Sequence, residues 1–312
     1  MTPKLGRFGI VLLTTALSLC AQGPAPPTFK VDVNLVVVEV GVHDAQGRAV
    51  GNLTRQDFRL FENGKEQQIS SFAHEELPLA VALVIDNSSS IVAALHELRR
   101  GALDTLALLK PADQVAIFSF GEKPEMAEGL TSDHEALSVD LWALSPYGGT
   151  DIDGALYQAA VYLGNTAPER RRAIILVSDN EPSEEQTSDV AQVVRAAQQS
   201  GTPIYSIKVG YLPHSRGFFL THSEAHLHDV EKICRETGGE MLDTRSGISV
   251  SSAMQTIFTW LKQGYTLGYY PTNKRQDGSF RGIEVRVEPP GQVRGQRYSL
   301  YARRGYYAPS AR

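Results

Sequence analysis

An apolar run that stops abruptly on an acidic, hydroxyl-rich loop constrains this chain more than any other feature. Leu79-Ala80-Val81-Ala82-Leu83-Val84-Ile85 carries no charge and is too short to span a bilayer. Such a run fits a strand buried on both faces, as in parallel sheets covered by helices. It ends on Asp86-Asn87-Ser88-Ser89-Ser90. The carboxyl edge of an open parallel sheet is where ligands bind. An Asp with hydroxyls two and four residues later offers hard oxygen donors. Those suit Mg²⁺ or a similar cation rather than zinc.

Two later segments extend the pattern. Gly148-Gly149-Thr150 places a hydroxyl after a flexible pair, and Ala173-Ile174-Ile175-Leu176-Val177-Ser178-Asp179 is a second buried run ending on Asp. Taken singly, each has an ordinary use. Asp86, Ser88 and Ser90 suit helix caps and turns, Thr150 could cap a helix opening near Ile152, and Asp179 could close a strand-end turn. Together, and in this order, D-x-S-x-S, the Thr after glycines and the strand-end Asp resemble the metal-ion-dependent adhesion site of von Willebrand factor A domains. The resemblance implies a divalent cation, Mg²⁺ or Mn²⁺/Ca²⁺, held by Asp86, Ser88, Ser90, Thr150 and Asp179. It further implies an open position that a partner's Asp or Glu carboxylate completes. Family members often have Gly after the strand-end Asp, whereas here Asn180-Glu181-Pro182 follows, and Glu181 adds charge. Asp151 and Asp153 are read as helix N-terminal charges rather than ligands.

The pattern around these segments is α/β. Strands are expected at Leu79–Ile85, Gln114–Phe120, Ala173–Ser178, Pro203–Val209 and Gly239–Leu242. Helices are expected at Ile91–Leu109, His134–Leu144, Ile152–Leu163, Ser188–Gln199, His226–Glu236 and Val250–Lys262. Alternation of this kind predicts a doubly wound, mostly parallel sheet of Rossmann-like order over residues 77–262. The flanks are β. Val31–Val42 alternates, Asp44-Ala45-Gln46-Gly47 is a tight turn, and Phe58–Lys65 is a hairpin with Asn63-Gly64 at its tip. Its expected return strand is Gln67–Ala73. Tyr265–Pro271, Arg281–Glu288 and Tyr298–Arg303 supply further strands. Neither flank has enough strands for a core of its own. Residues 31–76 and 263–309 are therefore expected to pack together as a small β-sandwich, with the α/β domain inserted between them.

Residues 1–21 read as a secretory signal: Lys4 and Arg7 precede the apolar Ile10–Leu19, and Leu19-Cys20-Ala21 resembles a cleavage site. Leu17-Ser18-Leu19-Cys20 also resembles a lipoprotein signal, which makes Cys20 a possible lipid anchor. Residues 22–30 form a Pro/Gly-rich leader. The expectation is an exported protein, in the periplasm, at the cell surface or secreted, with no transmembrane span in the mature chain. A net charge of −5 gives no case for nucleic acid. Residues 271–312 carry nine Lys/Arg against three Asp/Glu, read as a solvated β face. Cys234 is read as a small buried apolar residue. His222, His226 and His228 lack a His-Glu-x-x-His pattern and are read as solvated rather than zinc-binding.

Val31–Val42, Leu53–Lys65, Tyr265–Pro271 and Arg303–Ala308 resemble the VWFA-related domain family of acidobacteria. The expected function is metal-dependent capture of a protein ligand that presents an acidic side chain, without catalysis. A metal-dependent hydrolase using the same carboxylates, or a scaffold with a non-functional site, are the alternatives. No Gly-x-Ser-x-Gly elbow or phosphate-binding P-loop is present.

Overall fold

The structure is a computed structural model that describes residues 35–74, 77–107, 109–146, 148–181, 186–210, 223–288 and 298–310. The expected signal, leader and lipid-anchor residues, Val31–Asn34, Pro182, His222 and the side chains of His226 and His228 lie outside the described residues.

β1 (Val36–His43) opens the chain's described part, followed by β2 (Phe58–Glu62), β3 (Lys65–Gln67) and β4 (Ile69–His74). The α/β layer then runs through β5 (Leu79–Asp86), α1 (Val92–Leu106), β6 (Gln114–Phe120), β7 (Pro124–Thr131) and α2 (His134–Ala143). It continues through α3 (Ile152–Thr166), β8 (Arg171–Ser178), α4 (Val190–Ser200), β9 (Ile204–Lys208), α5 (Ser223–Thr237), β10 (Met241–Asp243) and α6 (Val250–Lys262). β11 (Tyr265–Tyr269), β12 (Phe280–Val287), β13 (Ser299–Ala302) and β14 (Gly305–Tyr307) complete the chain.

The central sheet has the order β10-β9-β8-β5-β6-β7. Its strands are parallel except β7, which pairs antiparallel with β6. All eight residues of β5 are buried, as the uninterrupted apolar run requires. One face packs α1, α2 and α6 around Leu83, Ile85, Leu98, Leu137 and Ile257. The other packs α3, α4 and α5 around Val84, Ile174, Leu156, Val193 and Ile233. Cys234 lies in that second core, 1% exposed. Among the described residues no helix is long and apolar enough to cross a membrane.

The flanking strands form two antiparallel sheets, β13-β1-β11-β4 and β14-β12-β2-β3. Their inner faces share one core of Val38, Val40, Leu60, Tyr265, Leu267 and Ile283. N- and C-terminal segments therefore build one sandwich. The Asn63-Gly64 tip has φ of 48° and 77°, both positive, as a two-residue hairpin of this hand requires.

Two expectations need correction. The return strand Gln67–Ala73 is not one strand. β3 pairs with β2, but β4 leaves for the other sheet and pairs with β11. The chain crosses between sheets at this point, between Gln67 of β3 and Ile69 of β4, both buried. The second is β7, which the strand pattern omitted. Its eight residues are exposed or half-buried, so no apolar period announces it. Pro124 and two glutamates suit an edge strand, where unpaired backbone must be kept from other chains.

A buried polar cluster ties the second sheet to the first. The Tyr269 and Tyr306 hydroxyls donate to Glu62 Oε2 at 2.8 and 2.9 Å. Arg281 Nη1 stands 3.7 Å from Glu62 Oε1, with both side chains 3% exposed. Removing one charge of such a pair leaves the other buried and uncompensated. Arg281→Met should cost about 3–5 kcal/mol of stability, whereas Glu62→Gln with Arg281→Met should recover much of that loss. Denaturant unfolding of the full chain checks this, and equal losses in the single and double variants would show that the two charges are not coupled.

Candidate metal centre

Three segments converge at the carboxyl edge of the central sheet. β5 lies between β6 and β8, with Asp86 opposite Phe120 and Ile85 opposite Val177. The strand-end loops are laced together. Asn87 N donates to Phe120 O at 2.7 Å, and Asp151 N donates to Gly121 O at 2.9 Å. Asn87 Nδ2 donates to Ser145 O at 2.8 Å. Asp86, Ser88, Thr150 and Asp179 are all buried. The backbone of Ser90 lies in the single 3-10 turn Ser89–Ile91 that leads into α1.

Asp86 is fixed from two sides. Its Oδ1 accepts from Ser88 N at 2.8 Å, and its Oδ2 accepts from Ser178 Oγ at 2.6 Å. Ser178 in turn accepts from Asn180 N at 3.0 Å. Asp179 Oδ1 accepts from Glu181 N at 3.1 Å. Its Oδ2 is buried and has no hydrogen-bond partner among the described residues. A buried carboxylate oxygen without a donor is costly unless a cation or water reaches it.

Helix capping, the ordinary use of these residue types, falls elsewhere. Asp151, not Thr150, caps α3: its side chain accepts from Gly154 N at 3.0 Å and from Thr187 Oγ1 at 2.5 Å. Gly154 is required there, because a Cβ would meet Thr187 Oγ1 at 2.1 Å and Asp151 Oδ2 at 2.3 Å. Ser88 stands before the 3-10 turn without a side-chain capping bond. The sequence reading of Asp151 as a helix-start charge thus matches its contacts, while the capping use of Thr150 does not.

Other residues bear on the site that the sequence reading did not single out. Ser178 orients Asp86, and its place just before the strand-end Asp was the available signal. Asn180 takes φ of 60°, a conformation that Gly adopts freely and Asn tolerates. It is held there by Nδ2 donating to Ser206 Oγ at 3.2 Å. The absence of Gly after Asp179 therefore does not disturb the turn. Lys208, paired with Ser178 across β8 and β9, is 4% exposed. Its charge and that of Arg245 oppose the rise that burial and Asp179 impose on Glu181.

Burial, and then the Asp179 charge, push Asp86 up to about 6. Burial and the carboxylates of Asp229, Asp151 and Asp189 push Asp153 up to about 7. The donor set is oxygen only, two carboxylates with neighbouring hydroxyls. Among the described residues no group of three or more His, Cys, Asp or Glu is placed to hold a metal. The orphaned Asp179 Oδ2 beside a destabilised Asp86 anion fits a hard divalent cation.

The sign of the pH effect follows from Asp86. Well below the unfolded value of 3.8 the group is protonated in both the folded and unfolded chain and contributes nothing. Between the unfolded value of 3.8 and about 6, the folded chain binds more protons, so stability falls as pH rises. The full cost above that window is of order 3 kcal/mol. In chelator at pH 7.5, Asp86→Asn should therefore raise the melting temperature by roughly 6–12 °C, given about 2–4 °C per kcal/mol. At about pH 4 most of the difference should be gone. A variant that melts at or below wild type at pH 7.5 would contradict the burial cost assigned to Asp86.

Known proteins resemble this chain over the same region. The model of the von Willebrand factor type A domain matches residues 81–181. A von Willebrand factor type A structure from Catenulispora acidiphila aligns over 88% of this chain and 74% of its own, at 11% identity and a TM-score of 0.50. Proximal thread matrix protein 1 from the mussel byssus, solved with a zinc-occupied MIDAS motif, aligns over 64% of this chain at 17% identity and a TM-score of 0.50. The chain spans 50% of that mussel protein. An aerotolerance-related membrane protein from Bacteroides fragilis is 19% identical over 59% of this chain and 99% of its own, with a TM-score of 0.48. The match to the von Willebrand factor type A domain thus takes in β5 through β8, the part of the chain that brings Asp86 and Asp179 to one edge of a mostly parallel sheet with helices on both faces.

Proposed function

We propose that this chain is an exported binding module that captures a protein partner through a divalent cation held by Asp86, Ser88, Ser90, Thr150 and Asp179. The observation that carries the reading is Asp179 Oδ2, buried without a partner beside the burial-destabilised carboxylate of Asp86. Two anions in one low-dielectric edge repel each other, and a cation removes that repulsion. When bound, the cation supplies a concentrated positive charge that prefers anionic oxygen, so a partner's Asp or Glu carboxylate is the matching group. Asp86 is pre-oriented for the task by Ser88 N and Ser178 Oγ, so little ordering is left to be done on binding. Export rests on Lys4, Arg7 and the apolar Ile10–Leu19.

The oxygen donors favour Mg²⁺, Mn²⁺ or Ca²⁺. Zinc is included in the test because the mussel protein was solved with zinc in its corresponding motif. Thermal melts of the full chain in chelator and in each cation test the site. A cation at about one hundred times its dissociation constant should stabilise wild type by about 2.7 kcal/mol. Asp86→Ala and Asp179→Ala should abolish the shift, and Thr150→Ala should reduce it. Pull-down from an envelope extract, with Mg²⁺ and with chelator, tests capture. No shift with any of the four cations would end the metal reading, and capture undiminished in chelator would end the mechanism.

A further inference from the structure

Three exposed apolar side chains gather on α1 and α2. Val92 is 56% exposed, Val139 63% and Trp142 49%. Val139 and Trp142 are three apart on α2 and so share one side of the helix. Val92 and His96 are four apart on α1, again on one side. The two helices meet where the His96 and Trp142 rings stand 6.1 Å apart. A single stripe thus runs from Val139 through Trp142 and His96 to Val92.

The stripe reaches the metal loop. Val92 is the first residue of α1, two positions after Ser90. The loop that follows α2 is clamped to the metal loop by Asn87 Nδ2 donating to Ser145 O at 2.8 Å. Trp142 is also held in place. The Arg99 guanidinium lies 5.2 Å from its ring centroid, while Arg99 Nε donates to Leu141 O at 2.9 Å and Arg99 Nη2 to Leu144 O. An exposed indole fixed by an arginine loses little freedom on binding. Trp and Arg are the side chains that most often dominate an interface.

Charge selects the occupant. Arg99, Arg100 and His96 border the stripe on α1, with Arg100 Nη2 3.4 Å from His96 Nε2, against one acid on the stripe's side of α2, Glu135, four residues before Val139. A basic border beside an apolar stripe favours an acidic segment with an apolar side chain. We propose that Val92, Val139 and Trp142 form the second half of the partner-binding surface. They take an aliphatic or aromatic side chain from a protein segment whose neighbouring carboxylate goes to the cation. This rests on the metal-dependent reading above and adds to it the class of sequence that the site selects.

The test is a synthetic peptide array probed with the full chain in Mg²⁺. Each peptide carries one Asp or Glu, flanked by Leu, Phe or Trp in one set and by Ser or Gly in the other. Retention should favour the acidic-apolar set. For the best peptide, Trp142→Ala should weaken binding by about tenfold or more, the loss typical of a dominant interface aromatic. Val139→Ser should weaken it less, and Trp142→Phe should keep most of it. The Mg²⁺-induced rise in melting temperature should be unchanged in all three variants, which separates loss of the surface from loss of the fold or metal. If Trp142→Ala and Val139→Ser bind as wild type while chelator and Asp86→Ala abolish binding, the stripe is wrong and the metal reading stands. If binding ignores chelator and Asp86→Ala, the metal reading falls, and the joint surface with it. An array that retains no acidic-apolar sequence above the Ser/Gly set overturns the proposal.

Discussion

Two carboxylates are buried at the carboxyl edge of adjacent central strands, and the rest of the structure is arranged around that constraint. β5 and β8 sit in the middle of the sheet with helices on both faces. Asp86 therefore cannot swing out to water, and Asp179 follows one residue past the end of its strand. Each is stabilised by local hydrogen bonds, and Asp179 also by the charge of Lys208. Asp86 takes a backbone N–H and a serine hydroxyl, and Asp179 takes the N–H of Glu181. Those bonds offset part of the desolvation but leave Asp86 well above the ordinary carboxylate range. The apolar sheet beneath supplies the stability that such an edge consumes.

The opposite edge of the same sheet is tied to the sandwich. Arg171, the first residue of β8, meets Glu39 of β1 at 2.8 Å, and Thr266 of β11 also donates to Glu39. The Arg303 guanidinium donates to Gln198 O at 2.6 Å and to Val37 O at 2.5 Å. A buried ion pair is weak evidence of net stability, but its directional bonds specify one arrangement of the packed layers. The chain enters and leaves the α/β layer through paired strands, since His74 at the end of β4 stands opposite Tyr265 at the start of β11. Entry and exit are thereby fixed side by side at the edge remote from Asp86.

Where one pattern dominated, the sequence was readable. Gln114–Phe120 and Val250–Lys262 coincide with β6 and α6, one a short apolar run and the other an amphipathic period opened by a Ser cap. The Asp86 loop, the Gly-Gly-Thr segment and the Asp179 loop were legible as an ordered set, and the fold brings these segments to one edge. β7 was illegible because an exposed edge strand needs no apolar alternation. The split between β3 and β4 was illegible because both sides of Gln68 keep the strand period, and only the pairing partner changes. Asp151 rather than Thr150 as the α3 cap could not be chosen from sequence, since both are good caps and the choice depends on Thr187 arriving from a distant loop. The unpartnered Asp179 Oδ2 is likewise a property of packing, invisible until the neighbours are in place.

That packing also sets the charge at the carboxyl edge. Asp151 lies close to the metal loops, but its carboxylate is spent on Gly154 and Thr187. Glu181 is partly answered by Lys208 and Arg245, which oppose its upward shift. The charge left facing the edge is that of Asp86 and Asp179. In a low-dielectric setting an anionic partner is repelled by those two groups far more strongly than it would be at an open surface. A divalent cation there cancels those two charges and removes the repulsion, and its open side attracts a carboxylate directly. On the proposed reading, the burial that destabilises the cation-free edge is therefore what makes capture conditional on the cation. An exposed pair of aspartates, screened by water and salt, would bind more permissively and switch less sharply.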